Sequence, residues 1–169
     1  MSFSYEELAE IRHYIHQHPE LSGQEYQTTA FLKERLEELG IRILESGLKT
    51  GLIAEIGSGQ PVVALRADID ALPILEQTNL HYKSQNPGVM HACGHDFHQT
   101  SLLGAAALLK EKEDQLEGTV RLIFQPAEEI SEGASDVLAT GLLEDVQGII
   151  GFHNIPPVSY THLVTINEL

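Results

Sequence analysis

The chain holds one cysteine, no tryptophan and two methionines in 169 residues, and aromatic residues make up only 6% of it. A single cysteine closes no internal disulfide, which argues against a disulfide-stapled secreted scaffold. Basic residues are scarce as well: Lys and Arg number 10 against 25 Asp and Glu, a formal net charge of −15. A surface of that sign repels phosphate backbones and anionic headgroups, so neither nucleic acid nor a membrane is expected as a partner. No stretch approaches the ~20 apolar residues that span a bilayer. The opening MSFSYEELAE is acidic and lacks the apolar run of a secretory signal. A cytoplasmic location is the expectation. Hydrophobic residues reach 42%, enough over about one domain's length to close a single core.

Periodicity predicts helices alternating with strands. SYEELAEIRHYIHQHP reads as a helix: Ser4 and Glu7 have capping-box spacing, Leu8, Ile11 and Ile15 fall on one face, and Pro19 closes it. A second helix is expected from about Tyr26 to Leu39, with Phe31, Leu36 and Leu39 inward and Gly40 at its end. IRIL, GLIAEI and VVAL suit strands. Further on, TSLLGAAALLKEK has helical spacing, VRLIF suits a strand, SDVLATGLL a short helix and GIIGF another strand. The alternation predicts an α/β domain with a mixed, largely parallel sheet. GSGQP, at 57–61, faintly resembles a nucleotide-binding glycine loop, yet it leads into a strand instead of opening a helix. A turn between two strands is the better expectation.

The informative residues stand where these strands end. VVAL runs into RADID, with Arg66, Asp68 and Asp70 on one face of an extended segment; VRLIF runs into QPAEE, with Glu128 and Glu129 adjacent; GIIGF runs into His153 and Asn154. In open α/β sheets, ligands bind beyond the carboxyl ends of the strands, so these side chains are aimed at one crevice. The stretch VMHACGHDFHQT, residues 89–100, brings the lone thiol of Cys93 among His91, His95 and His98. If this segment is extended, Cys93 and His95 share a face and can clasp one ion or a close pair. Asp96 then stands ready to orient an imidazole. Thiolate, imidazole and carboxylate together suit zinc or a similar borderline divalent ion.

Adjacent glutamates point in different directions, so Glu128 and Glu129 suit two roles. One holds metal, while the other faces a water whose pKa zinc can lower from ~15.7 to about 7. A carboxylate beside such a water can take its proton and deliver it to a leaving amine. That is equipment for cleaving an amide. Plainer readings cover the other candidates. His13, His16 and His18 read as solvent or packing residues, with His81 left unassigned on the same grounds, Arg66 as a partner of Asp68 or a nearby carboxylate, and His91 and His98 as supports, packing residues or ligands. Two rival functions stand beside amide hydrolysis. Cys93 as a histidine-activated nucleophile leaves Glu128, Glu129 and His153 without work, and a non-catalytic metal-binding module uses the donors without turnover.

Taken in order, HQHPELSGQE, ALRADIDALPI, VMHACGHDFHQTSLLGAA, FQPAEE and GFHN resemble the M20 metallopeptidases, most closely the amidohydrolase branch with aminoacylases, hippurate hydrolases and auxin-conjugate hydrolases. The resemblance implies a three-layer α/β/α zinc-peptidase-like catalytic domain over residues 1–157. It implies a centre of two divalent ions, zinc foremost with manganese, cobalt or nickel as alternatives, held by Cys93, His95, Glu129 and His153. Glu128 matches the general base that also serves as acid, and Asp70 the aspartate that supports the centre, both counted as catalytic candidates. The usual His-x-Asp motif carries Asp68 in place of its histidine, which puts Asp68 in doubt as a ligand. The implied substrates are small N-acyl amino acids or related amides. Members of that family run to more than twice this length, with a lid domain, through which subunits pair, and a C-terminal part that supplies a further histidine. The expectation is therefore a truncated catalytic domain with a divergent, non-native tail at 158–169, in which His162 is no substitute for that histidine. Such a fragment is expected to bind metal weakly and turn over slowly.

Overall fold

In a computed structural model of the chain, residues 3–154 are described. Helix α1 (Tyr5–Gln17) starts at a reciprocal capping box. The Glu7 N–H donates to Ser4 Oγ at 3.1 Å, and the Ser4 N–H donates to Glu7 Oε2 at 2.7 Å, which satisfies two of the helix's orphan donors. Helix α2 (Tyr26–Glu38) buries Thr28, Leu32 and Leu36. These lie four residues apart and so share one stripe. Phe31, expected inward, sits one position off that stripe and stacks on Tyr14 with ring centroids 4.6 Å apart.

Five strands follow the expected order: β1 (Arg42–Ile43), β2 (Leu52–Gly57), β3 (Val62–Asp68), β4 (Thr119–Gln125) and β5 (Val146–Gly151). Helix α3 (His95–Glu111) precedes β4 and the short helix α4 (Gly133–Ala139) precedes β5. The strands lie in the order β1-β2-β4-β3-β5. β3 is parallel to β4 and to β5, while β2 is antiparallel to β1 and to β4. The sheet is thus mixed, and only β2 runs against the rest. GSGQP forms the expected connection from β2 to β3, but these strands are not neighbours. The link arches over the start of β4, where the Thr119 N–H donates to Pro61 O at 2.9 Å.

Apolar residues cover both faces of the sheet. Leu52, Ala54, Ile56, Leu122 and Phe124 face Leu32, Leu36, Leu102, Leu103 and Ala106 of α2 and α3. On the other face Ile53, Val62, Ala64, Ile123 and Val146 pack with Val137 of α4. Each large side chain buried this way contributes about 1.5–3 kcal/mol. Helices on both faces leave the strand ends open for polar side chains to gather. No helix among the described residues is long and apolar enough to cross a membrane.

α1 meets α3 through a polar seam. The buried Asp96 Oδ2 accepts from Arg12 Nε at 3.0 Å and lies 2.9 Å from His16 Nδ1, whose Nε2 is 3.3 Å from Glu76 Oε1. Asp96 does orient an imidazole, but it is that of His16, because the first turn of α3 faces α1. Nearby, His13 stacks on Tyr82 at 3.8 Å, His81 meets Tyr82 edge-on, and His18 Nδ1 lies at hydrogen-bond distance, 2.7 Å, from Tyr14 O. Burial alone lowers the His16 pKa, but Asp96 and then Glu76 outweigh it and raise the net value. A histidine raised in the folded state adds stability that is complete below its unfolded pKa of about 6.5 and fades as pH climbs through the folded value. His16→Asn is therefore expected to lose more Tm at pH 6 than at pH 9, the gap narrowing across that range in thermal melts.

Candidate metal centre

The crevice lies beyond the carboxyl ends of β3, β4 and β5, where parallel register brings the strand ends level. Asp68 pairs with Gln125, and Arg66 with Gly151. From there β3 continues to Asp70, β4 to Glu128 and Glu129, and β5 to His153. The fourth contribution comes from the segment ahead of α3, and it is not extended through His95 as the spacing suggested. Gly94 takes a left-handed conformation (φ 90°) as the N-cap, and His95 is the first residue of α3. A side chain at 94 would be strained, and its Cβ would stand 2.5 Å from Asn154 Oδ1. Cys93 and His95 still reach the same crevice, brought together by this turn instead of by strand alternation.

His95 is the hub. Its Nδ1 lies 2.9 Å from the Asp70 carbonyl oxygen. A carbonyl only accepts, so the ring proton belongs on Nδ1 and the Nε2 lone pair faces the crevice. That Nε2 stands 3.6 Å from Asp68 Oδ1, 3.7 Å from Glu128 Oε2 and 3.7 Å from Glu129 Oε1. Cys93 Sγ is 3.4 Å from His153 Nε2. Three overlapping donor groups result: Cys93–His95–His153, Asp68–His95–His98 and His95–Glu128–Glu129, each with donor atoms within 4.8 Å of one another. Cys93, His95, Glu128, Glu129 and His153 are thereby gathered, with Asp70 behind them.

The electrostatics favour a cation. His95 Nε2 and Glu129 Oε1 are buried with no hydrogen-bond partner among the described residues. Burial lowers the His95 pKa, yet Asp70 and the charges of Asp68 and Glu129 raise it overall. The Cys93 thiol is pushed up to about 12, by burial first and then by Glu129, Asp68 and Glu128. A lone pair and a thiol ringed by carboxylates are complementary to positive charge. The spacing agrees, because donors about 2.0–2.3 Å from one ion at the tetrahedral angle stand roughly 3.3–3.8 Å apart.

The surrounding residues hold this set in place. Asp68 has both oxygens engaged, Oδ2 by Arg66 Nη1 and Oδ1 by His98 Nδ1, each at 2.5 Å. Arg66 pairs with Asp68; against the cost of burial, the His98 hydrogen bond first, then the charges of His95 and Arg66, draw the Asp68 pKa far below the usual carboxylate range. The other nitrogen of His98 meets Asn154, so its ring supports the centre with neither nitrogen free. His91 is buried, with neither ring nitrogen partnered among the described residues, and burial foremost brings its pKa down to about 4. It belongs to none of the three donor groups. Sequence reasoning missed Ser22, whose hydroxyl donates to Asp70 Oδ2 at 2.7 Å. It also missed the fully buried Glu25. Both lie in SGQE, a stretch with no metal-ligand spacing to single it out. His162 and the 158–169 tail lie outside the described residues.

Parallel strand ends thus present a thiol, imidazoles and paired carboxylates to one cation-complementary crevice. The chain is a member of peptidase family M20/M25/M40, which residues 64–167 match. It is 54% identical over 155 residues to an N-acetyl-L-cysteine deacetylase of Bacillus subtilis, covering 90% of this chain and 37% of that protein. It is 50% identical over 144 residues to an IAA-amino acid hydrolase of Arabidopsis thaliana, covering 85% and 33%. Among solved structures, a dinuclear metal-binding M20 peptidase of Bacillus subtilis superposes with a TM-score of 0.87 at 55% identity, over 89% of this chain and 43% of that one. The chain therefore spans about a third to two-fifths of the length of these relatives. The expected α/β class is the one found.

Proposed function

We propose that this chain carries the metal-binding half of an amidohydrolase site, in which a glutamate base acting beside two divalent ions would cleave the amide bond of small N-acyl amino acids. Cys93, His95, Glu129 and His153 would hold the metal. The observation that carries the reading is the pair of buried, unpartnered donors, His95 Nε2 and Glu129 Oε1, facing each other at 3.7 Å. That distance is too long for a hydrogen bond and suits two ligands of one cation. A sulfur, nitrogen and oxygen donor set suits zinc best, with manganese, cobalt or nickel as alternatives. Bound there, divalent ions supply Lewis acidity, acidifying water and polarising a carbonyl. Two ions are supported by the dinuclear relative, and the substrate class by the names of the deacetylase and the amino acid hydrolase.

The chain's own residues divide the remaining work. The Glu128 side chain is 37% exposed, against 19% for Glu129. Glu128 thus faces the crevice and takes a proton from the attacking water, then returns it to the leaving amine. Asp70 touches His95 and the Glu129 N–H, at 3.0 Å, instead of open space. It holds the His95 ring and the Glu129 backbone in register. A nucleophilic thiol needs an electropositive setting that lowers its pKa; Cys93 has the reverse, despite its contact with His153. The test is to load the chain with zinc or manganese, count metal per chain and assay N-acetyl amino acids. Turnover lost to a chelator and retained after thiol alkylation of the loaded chain is expected. Turnover lost to alkylation and retained with chelator would establish the thiol reading. Metal bound without turnover would leave a binding module.

A further inference from the structure

Building on the metal-centre reading above, we propose that Glu25 is a positioning residue for the Glu128–Glu129 pair. Glu25 is the N-cap of α2, yet its side chain makes no cap hydrogen bond to its own helix. That work is done by Glu20, whose carboxylate accepts from the N–H groups of Gln27 and Thr28 at 3.2 and 2.8 Å. The Glu25 carboxylate is free to reach across the fold, where Oε1 accepts from the Ala127 N–H at 2.8 Å and Oε2 from the Thr50 hydroxyl at 2.7 Å. It is 0% exposed. A buried carboxylate persists only where hydrogen bonds compensate its lost hydration.

What it holds is a strained turn. Ala127 has φ 48°, a left-handed conformation that non-glycine residues keep only where their surroundings impose it. Three contacts impose it here. Glu25 takes the Ala127 N–H, and the Ala127 carbonyl accepts from Glu132 and Gly133 at 3.2 and 3.1 Å. Gly133 also lies so close that a Cβ there would overlap the Pro126 carbonyl oxygen at 1.6 Å. Two residues on, Asp70 takes the Glu129 N–H. Two buried acids from separate segments therefore hold the alternate N–H groups on either side of Glu128. The direction in which Glu128 and Glu129 leave β4 follows from that clamp.

Cobalt(II) alone is the probe, since its spectrum reports thiolate and carboxylate ligation without any need for turnover. Glu25→Ala is expected to bind cobalt about 10–100-fold more weakly than the unsubstituted chain, keeping the thiolate charge-transfer band of Cys93 while the d–d bands shift. Glu25→Gln restores affinity, because its carbonyl oxygen still accepts from Ala127 and its amide donates to Thr50. Glu25→Asp, one methylene short, behaves as Glu25→Ala and serves if the alanine variant does not fold. Glu20→Ala, which uncaps α2, lowers Tm and leaves cobalt affinity unchanged. Wild-type affinity in both Glu25→Ala and Glu25→Asp overturns the proposal, as does a loss in Glu20→Ala as large as that in Glu25→Ala. Failure of the unsubstituted chain to take up cobalt removes the metal-centre reading itself, and the role of Glu25 with it.

Discussion

His95→Ala abolishes metal uptake, with an affinity loss above the roughly 100-fold ceiling seen when mere supporting residues are changed. His95 is common to all three donor groups, so no other substitution removes as much of the centre at once. Isothermal titration with cobalt or zinc measures the loss. Without metal, the same substitution also destabilises the chain. The imidazole stands among Asp68, Asp70 and the two glutamates, and taking one partner out of a buried ionic cluster costs about 3–5 kcal/mol. Because its folded pKa is raised, this destabilisation is fullest below about pH 6.5, the ordinary histidine value, and shrinks as pH rises through the folded value. Denaturant melts at pH 6 and pH 9 show the difference. An unchanged affinity for metal would place the ions elsewhere.

Glu128→Gln separates chemistry from binding. The amide keeps the size of the side chain but has no basic oxygen to accept a proton from water. Turnover of an N-acetyl amino acid is expected to fall about 10²–10⁴-fold, the worth of a general acid–base group, with the fall in kcat and little change in KM. Metal content stays at the unsubstituted level. Glu129→Gln gives the converse, losing metal first, because its buried Oε1 is the oxygen without another partner. If Glu128→Gln loses metal and keeps kcat, the two glutamates have exchanged roles. A rapid-quench or steady-state assay beside metal analysis decides it.

The elements themselves were legible because each depends on neighbours in the chain. The capping box at Ser4 and Glu7, the apolar runs of β2 to β5 and the helical spacing after Thr100 all follow from local hydrogen bonding and side-chain period. The convergence of polar side chains on one crevice was legible too, since unusual residues sat at strand ends where an α/β sheet opens. The error at Cys93–His95 has a local cause: a spacing of two residues fits a strand, but Gly94 turns the chain and α3 begins at once. Phe31 was expected inward where Leu32 is buried for a similar reason, as a one-residue phase error in a helix moves a side chain by about 100°.

Chain order determined the elements, the acidic balance and the kinds of donor atom this protein can offer a cation. Tertiary structure alone decided who supports whom: Ser22 on Asp70, Glu25 on Ala127 102 residues away, His98 between Asp68 and Asn154, and Asp96 turned to His16 and not to the crevice. These contacts join segments far apart in sequence, and a hydrogen bond has no periodic imprint along the chain when its two ends fold from different elements. Whether a given carboxylate reaches the crevice or braces a neighbour depends on which elements meet once the core has closed.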